Sequence, residues 1–372
     1  MKPASGSPQA TMKVFVHVAR GFDEREWRRR WENGELVGIN DPTPYGYGRA
    51  EALGCHVTFS KDDPEGFIGK YLRLALRLVL GFDFLHARRN AREMFQSDVI
   101  WTHTESQFLA VALLFRLHGT GKGRPKLLGQ SVWLFDRWQS FSPLRRAFFS
   151  RLVRSVDLLT VHSRENRAIA QKLFPDKWIE TVPFGIPEQD KSPVRVRTGE
   201  RAEVLSVGND EHRDWQTAIK ALRGRGDIDL TIISGRADPA LAAGAPNVRI
   251  VRVGNNGELR AAFERATMML VPLKANHHAS GITVIQEAAL HGVPVIATDT
   301  GGLRDYFDDD AVTYVPVGDA DAIRRAVLAV VDDPTGASRK AARAQGRMGS
   351  GGLGADAYIA QHVQLSRRLL ET

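Results

Sequence analysis

HHASGITVIQEAALHGVPVIATDTGGLRDYF, His277 to Phe307, sets a lone glutamate and several glycines between two hydrophobic runs. The apolar spacing of ITVIQEAAL predicts a helix, and VPVIATD a buried strand directly after it. An ordinary crossover helix has no use for Glu287 in its second half. A site that grips a nucleotide at the top of a parallel sheet does. A carboxylate there accepts hydrogen bonds from ribose hydroxyls, as the acidic residue of a dinucleotide site does. The alternative is a solvated helix glutamate. Ser280, Gly281, Ile282 and Thr283 open the same helix, where free N–H groups and the helix dipole attract a phosphate and Gly281 permits close backbone approach.

The pattern around this stretch repeats along the chain. KVFVHVA, HVTFS, DVIWTH, PKLLGQS and LLTVHS predict strands in the first half. AEVLSVG, IDLTIIS, VRIVRVG, TMMLVPL, VPVIATD and AVTYVPV predict strands in the second. Short β-branched runs separated by helical segments indicate parallel sheets covered on both faces. PEQDKSPVRVRTGERAE, residues 187–203, is polar and aperiodic and marks an interdomain linker. The expected fold is α/β, with two Rossmann-like doubly wound domains facing across a cleft, over residues 12–190 and 200–350. Residues 351–372 form a C-terminal helix, with packing back on the first domain as one option. In VGDADAIRRAVLAVVDDP, Asp319 suits an N-cap, Pro334 a stop, and Ile323, Val327 and Val330 or Val331 one buried face.

Composition narrows the class. The chain has 372 residues, 43% hydrophobic and 25% charged, with one cysteine. Cys55 therefore forms no internal disulfide, and its place in EALGCHVTF suits a strand core. No apolar run reaches the length that spans a bilayer, and MKPASGSPQATMKVFVHVAR lacks a signal-peptide core, so a cytoplasmic location is expected, with residues before Met12 a disordered leader. The net charge is +8, and residues 1–190 hold most of it, with 28 Lys and Arg against 21 Asp and Glu. No aromatic and basic motif accompanies that charge, which argues against nucleic acid. REWRRRW (Arg25–Trp31), KYLRLALRLVL (Lys70–Leu80) and SPLRRAFFSRLVR (Ser142–Arg154) set arginines beside large apolar side chains. That composition suits either peripheral contact with an anionic membrane or the edges of amphipathic core helices.

SGITVIQEAALHGVPVIATDTGGLRDY, with VHSRENRAIAQKL, ETVPFGI, VLSVGNDEHRDWQTAIKAL, GELRAAFERATMMLVPL and VPVGDADAIRRAVLAVVDDP in the same order, resembles the family 4 retaining glycosyltransferases of the GT-B fold. The family motif has two glutamates separated by seven residues. Glu287 matches the second. Ala279 stands at the first, with His278 and Ser280 as candidate replacements. The resemblance implies a basic pair on the diphosphate after Gly208. Asn209 holds the first place and Arg213 is the counterpart of the second, helped by His212. Arg213 and Glu287 are thus the expected catalytic pair. A protein cation in that role makes a metal unnecessary, and no cofactor is expected beyond the nucleotide-diphosphate sugar as co-substrate.

On the acceptor side, DVIWTHTESQ and LLGQSVWLFDRW end strands at the cleft, which makes His103, Glu105, Gln130 and Trp133 candidates. PTPYGYGRAEALG adds Gly46 and Tyr47, in the loop where acceptors approach in the resembling family; packing is the other role for the tyrosine. The expected function is retaining transfer of a sugar to a glycan, lipid-linked or small-molecule acceptor. A nucleotide-sugar epimerase and a non-catalytic nucleotide-sugar-binding protein are the alternatives.

Overall fold

A computed structural model of the chain describes residues 11–119, 123–189, 191–349 and 351–372. The leader expected before Met12 lies outside the described residues apart from Thr11. Two six-stranded parallel sheets organise the rest. The first contains β1 (Met12–His17), β2 (Cys55–Phe59), β3 (Val99–Thr102), β4 (Lys126–Gln130), β5 (Leu158–Val161) and β6 (Ile179–Thr181). The second contains β7 (Ala202–Val207), β8 (Ile228–Ile233), β9 (Val248–Val251), β10 (Met268–Val271), β11 (Val295–Thr298) and β12 (Thr313–Val315). Both sheets are doubly wound α/β layers, as the strand pattern predicts. Cys55 is buried in β2.

Strand order fixes where ligands can bind. The first sheet runs β2-β1-β3-β4-β5-β6 and reverses direction between β1 and β3. The second runs β12-β11-β10-β7-β8-β9 and reverses between β7 and β10. At such a reversal the two loops leaving the carboxyl ends of adjacent strands part in opposite directions and open a crevice. Val18 to Arg20 and His103 to Glu105 leave the first reversal. Gly208 to Arg213 and the segment to Gly281 leave the second.

Between the sheets, residues 191–201 carry neither helix nor strand. The helix Ala320–Asp332 begins as its sequence predicts: the Asp319 carboxylate accepts from Ala322 N–H at 2.8 Å, and Ile323, Val327 and Val330 are buried. Val331 stays exposed. The helix Ala355–Leu370 lies in the first core, where Tyr358, Ile359, Val363 and Leu369 pack with Val14, Tyr47 and Trp101. Trp101 Nε1–H donates to Ser366 Oγ at 2.8 Å. The two faces of the first sheet are therefore filled by different parts of the chain, with Phe15, Ile100 and Phe108 in the other layer.

The helix Phe67–Leu80 departs from globular packing. Arg73 is its one buried residue, while Phe67, Ile68, Leu78 and Val79 are each more than two-thirds exposed. Among the two roles the sequence allows for this segment, the edge of an amphipathic core helix does not describe it.

Candidate functional site: a cleft between two reversal points

The second reversal point holds Arg213. Its chain position is set by an isolated bridge to Leu273 and by Asp214, which caps the helix Trp215–Leu222 through its carboxylate. The guanidinium is 6% exposed, and among the described residues none offers an acceptor to Nε or Nη1. Gly208 and Gly281 face it from two sides, and a Cβ on either would collide with it. Both glycines have positive φ, +153° and +82°. Burial holds the Arg213 pKa down to about 10, which still leaves it charged at neutral pH. A buried cation without a full set of partners is expensive. Such a group is poised for an anion, and the start of the helix Ile282–Leu290 beside it adds free N–H groups.

Asn209 holds the neighbouring loop: its Oδ1 accepts from Gly235 N–H at 2.7 Å and from Ser234 Oγ at 3.2 Å. Asp210 then meets the two sequence-predicted neighbours of Ala279. Ser280 Oγ donates to Asp210 Oδ2 at 2.9 Å, and His278 Nε2 lies 3.0 Å from the same oxygen. The other imidazole nitrogen, His278 Nδ1, reaches Asp136 Oδ2 of the first domain at 2.9 Å. Burial alone would lower the His278 pKa, but the two carboxylates outweigh it and raise it to about 9. The imidazolium thus bridges the domains. His277 adds two more links, its N–H to Asp136 Oδ1 at 2.7 Å and its ring to Glu165 at 2.6 Å. Asp136, His212 and His278 also offer ligand atoms within 4.8 Å of one another, a spacing open to a metal ion, although hydrogen bonds already join His278 to Asp136.

Ala279 itself is buried at φ +33°, with its N–H bonded to the Gly301 carbonyl at 2.8 Å. Ile282 is buried and Thr283 is exposed.

Glu287 faces a different cavity from Asn209 and Asp210. It is 8% exposed, and Oε1 accepts from Ile39 N–H of the first domain at 2.8 Å. Burial raises its pKa to about 7, against the lowering effect of that bond. The cavity, about 510 Å³, is lined by Gly38 to Pro42 of the first domain and by Asn256 and Arg260 of the second. Gly38, at φ +103°, comes so close that a Cβ there would sit 2.8 Å from Glu287 Oε1. A fully free pair of carboxylate oxygens, which the sequence suggests for ribose, is therefore not what the fold presents. One oxygen already has a partner.

The acceptor candidates divide. His103, Glu105 and Trp133 line a second cavity of about 900 Å³ that runs from β1 and β3 to Asn209 and Asp210. Tyr45 stacks on His103 at 3.4 Å between ring centroids and lines it too. Tyr47 and Gln130 do not reach it. Both are fully buried beneath His103: Tyr47 Oη is 3.1 Å from His103 Nδ1, and Gln130 Nε2–H donates to the His103 carbonyl at 2.9 Å. Tyr358 joins them, 2.9 Å from Tyr47 Oη and donating to Gln130 Oε1 at 2.6 Å. These two residues support the cleft and do not line it, because the returning C-terminal helix covers them. Gly46 is also buried, at φ +76°. Glu105 uses Oε2 to accept from the N–H groups of Val132 and Trp133, and burial raises its pKa.

Sequence reasoning misses Asp136, Asp210 and the segment Gly38–Asp41. The acidic pair carries no spacing signal, since its partners lie 68 and 142 residues away. Gly38 and Asn40 in ENGELVGIN could have marked a tight loop, but not its docking on Glu287.

Residues 203–333 match the family described as Glycosyl transferases group 1. A glycogen synthase of Mycobacterium tuberculosis is 28% identical over 342 residues, covering 83% of this chain and 80% of its own. Among solved structures, a sucrose-phosphate synthase of Thermosynechococcus elongatus superposes with a TM-score of 0.73 at 17% identity, covering 97% of this chain and 100% of its own. HepE of Anabaena, in complex with UDP-glucose, gives 0.69 at 12% identity, covering 96% and 100%. At such identities the structural likeness speaks for the fold. The second domain thus matches the group 1 glycosyltransferase family over residues 203–333, and the whole chain shares the GT-B fold of these solved structures.

Proposed function

We propose that the chain is a retaining, nucleotide-sugar-dependent glycosyltransferase, and the observation that carries this is the buried, incompletely partnered Arg213 between Gly208 and Gly281. The guanidinium and the N-terminus of the helix Ile282–Leu290 receive the diphosphate. Glu287 accepts from ribose through the oxygen that Ile39 leaves free, with the nucleoside in the cavity beside Asn256 and Arg260. The sugar then lies toward His278 and Asp210, at the boundary with the larger cavity.

In the reaction the bond from the anomeric carbon to the diphosphate oxygen breaks as the acceptor oxygen approaches on the same face. Charge gathers on the leaving diphosphate, where Arg213 and the helix N–H groups stabilise it without reorganising. The diphosphate oxygen takes the acceptor's proton. No metal is assigned a part. The HepE complex with UDP-glucose makes UDP-glucose the first donor to test.

Incubation with a panel of nucleotide sugars and analysis of products by mass spectrometry tests the reading. Sugar transfer, or donor hydrolysis in the absence of acceptor, is expected. Epimerised donor would assign the alternative chemistry, and tight donor binding without any turnover a binding protein.

The exposed helix Phe67–Leu80 adds a location. Its apolar side chains stand beside Lys70, Arg77 and Arg145, and the last two also line the large cavity. Among the described residues no helix is long and apolar enough to cross a membrane. An amphipathic helix of this kind lies in the headgroup layer. The proposed acceptor is therefore lipid-linked or held at an anionic membrane surface, with its reacting end in the cavity.

A further inference from the structure

The large cavity contains a cluster that the transfer reaction does not use. It lies at the reversal point of the first sheet, where β1 ends. His17 and His86 are 1% and 2% exposed, stack at 5.0 Å between ring centroids, and line the cavity with Arg20. His17 Nδ1, His86 Nδ1 and Arg20 Nη1 are all buried, and among the described residues none has a hydrogen-bond partner. With Asp62 Oδ1, which lies 3.9 Å from His86 Nε2 and is likewise buried without a partner, four orphaned polar atoms gather at one place, three of them on groups that can carry a proton; that is unusual, because buried polar groups are nearly always satisfied.

Charge says what kind of group suits the place. Arg20 shares the carboxylate of Glu65, at 3.8 Å, with Arg73 and Arg89, so three guanidiniums divide one acid. Arg73 also holds Asp83. Around the same cavity stand Arg77, Arg145 and Arg236, and among the described residues none of the three has a carboxylate within ion-pair distance. The acids of the cavity are engaged elsewhere: Asp210 with His278 and Ser280, Glu211 with Arg137, Glu105 with two backbone N–H groups. The His86 ring stands 3.9 Å from Asp62 and 3.2 Å from the Val18 carbonyl, both through Nε2, while Nδ1 has no hydrogen-bond partner among the described residues. Burial holds both imidazoles below their ordinary pKa. An incoming anion would reverse that cost by favouring the charged form.

We propose that the acceptor carries a phosphate or a similar oxyanion, which docks on Arg20 beside His17 and His86 and is drawn inward by Arg77, Arg145 and Arg236. This rests on the transferase reading only in calling the bound molecule an acceptor. A guanidinium beside two imidazoles provides several N–H donors to the oxygens of one anion, the arrangement suited to phosphate. The phosphate would belong either to a lipid headgroup or to a soluble phosphorylated sugar. Its position at the carboxyl end of β1, in the same cavity as Asp210, leaves the rest of the molecule free to reach toward the donor.

Calorimetry on the whole protein saturated with UDP, so that Arg213 is occupied, tests this with inorganic phosphate and with glucose 6-phosphate as probes. Binding of at least one is expected, weakened at least tenfold by Arg20→Gln and about threefold by Arg236→Gln, whose side chain is exposed. UDP affinity should stay within twofold in both variants. Competition by vesicles containing phosphatidic acid, and not by neutral phosphatidylcholine, identifies a headgroup; glucose 6-phosphate binding that vesicles leave untouched identifies a soluble acceptor. Equal affinity of wild type and both variants for the phosphate probes, or no binding of phosphate, glucose 6-phosphate or acidic vesicles, overturns the proposal. Loss of UDP binding by the unaltered protein would instead count against the donor site, and phosphate binding could then be followed in Arg213→Ala.

Discussion

His278 Nδ1 lies 2.9 Å from Asp136 Oδ2, so an imidazole from the second domain is held by a carboxylate from the first. The raised pKa of about 9 means that folding and closure favour the protonated ring. Its contribution is complete below the unfolded value of about 6.5 and fades as pH rises through about 9. Closure should therefore weaken between pH 7 and 10, by up to about 3 kcal/mol. Small-angle scattering should show a larger radius of gyration at pH 10 than at pH 7. His278→Asn should look open at both values; a closed His278→Asn protein would remove the bridge from the account.

Arg213→Met is expected to act in opposite directions on stability and binding. Removing a buried, incompletely paired cation should raise the melting temperature of the free protein, as apolar replacements of buried charges often do. The same change should weaken UDP by about 2 to 4 kcal/mol, the range for losing a charged hydrogen-bond partner, and uridine far less. Calorimetry with both ligands checks it. Equal losses would make Arg213 a structural residue.

Glu287, held at about 7 by burial, accepts from ribose through its free oxygen best when ionised. Nucleotide affinity should then rise with pH between 6 and 8. Glu287→Gln should be weaker and flat across that range, and titrations in the two proteins at each pH would reveal any other pattern.

Chelation offers a direct check on the electrostatic assignment. Turnover in excess EDTA should equal turnover without it. A loss restored by added divalent ion would instead give the Asp136, His212 and His278 cluster an ion to hold.

Ile68 and Leu78 are the most exposed apolar residues of their helix, at 82% and 81%. The double variant Ile68→Glu, Leu78→Glu should fold normally, because neither side chain packs in a core. It should lose co-sedimentation with anionic vesicles, which in the unaltered protein should fall with salt. Undiminished binding by the variant would move the membrane contact elsewhere.

The sheets are legible in the sequence because each strand is a short β-branched run, and parallel strands buried on both faces leave no other pattern. β6 escapes, being only three residues, Ile179–Thr181, that overlap the start of ETVPFGI. Gly281 and Glu287 are legible for a related reason: glycine and carboxylate stand out within an apolar stretch. Arg20, His17 and His86 do not stand out. Their meaning comes from what they lack once packed together, and absence of a partner has no sequence pattern. Tyr47 and Gln130 mislead in the opposite way. Gln130 ends β4 and Tyr47 lies in the segment before β2, yet a helix more than 200 residues later covers them.

That late helix has a consequence for synthesis. The Trp101–Ser366 bond and the packing of Tyr358 on Tyr47 join residues separated by 265 and 311 positions. A ribosome releases the N-terminal sheet long before its last layer exists. Domains made first commonly fold first, but here one face of the leading sheet must wait, apolar and uncovered, until the trailing segment emerges. The second sheet can close earlier. Premature termination near residue 350 should consequently yield a protein whose later half is native and whose earlier half aggregates.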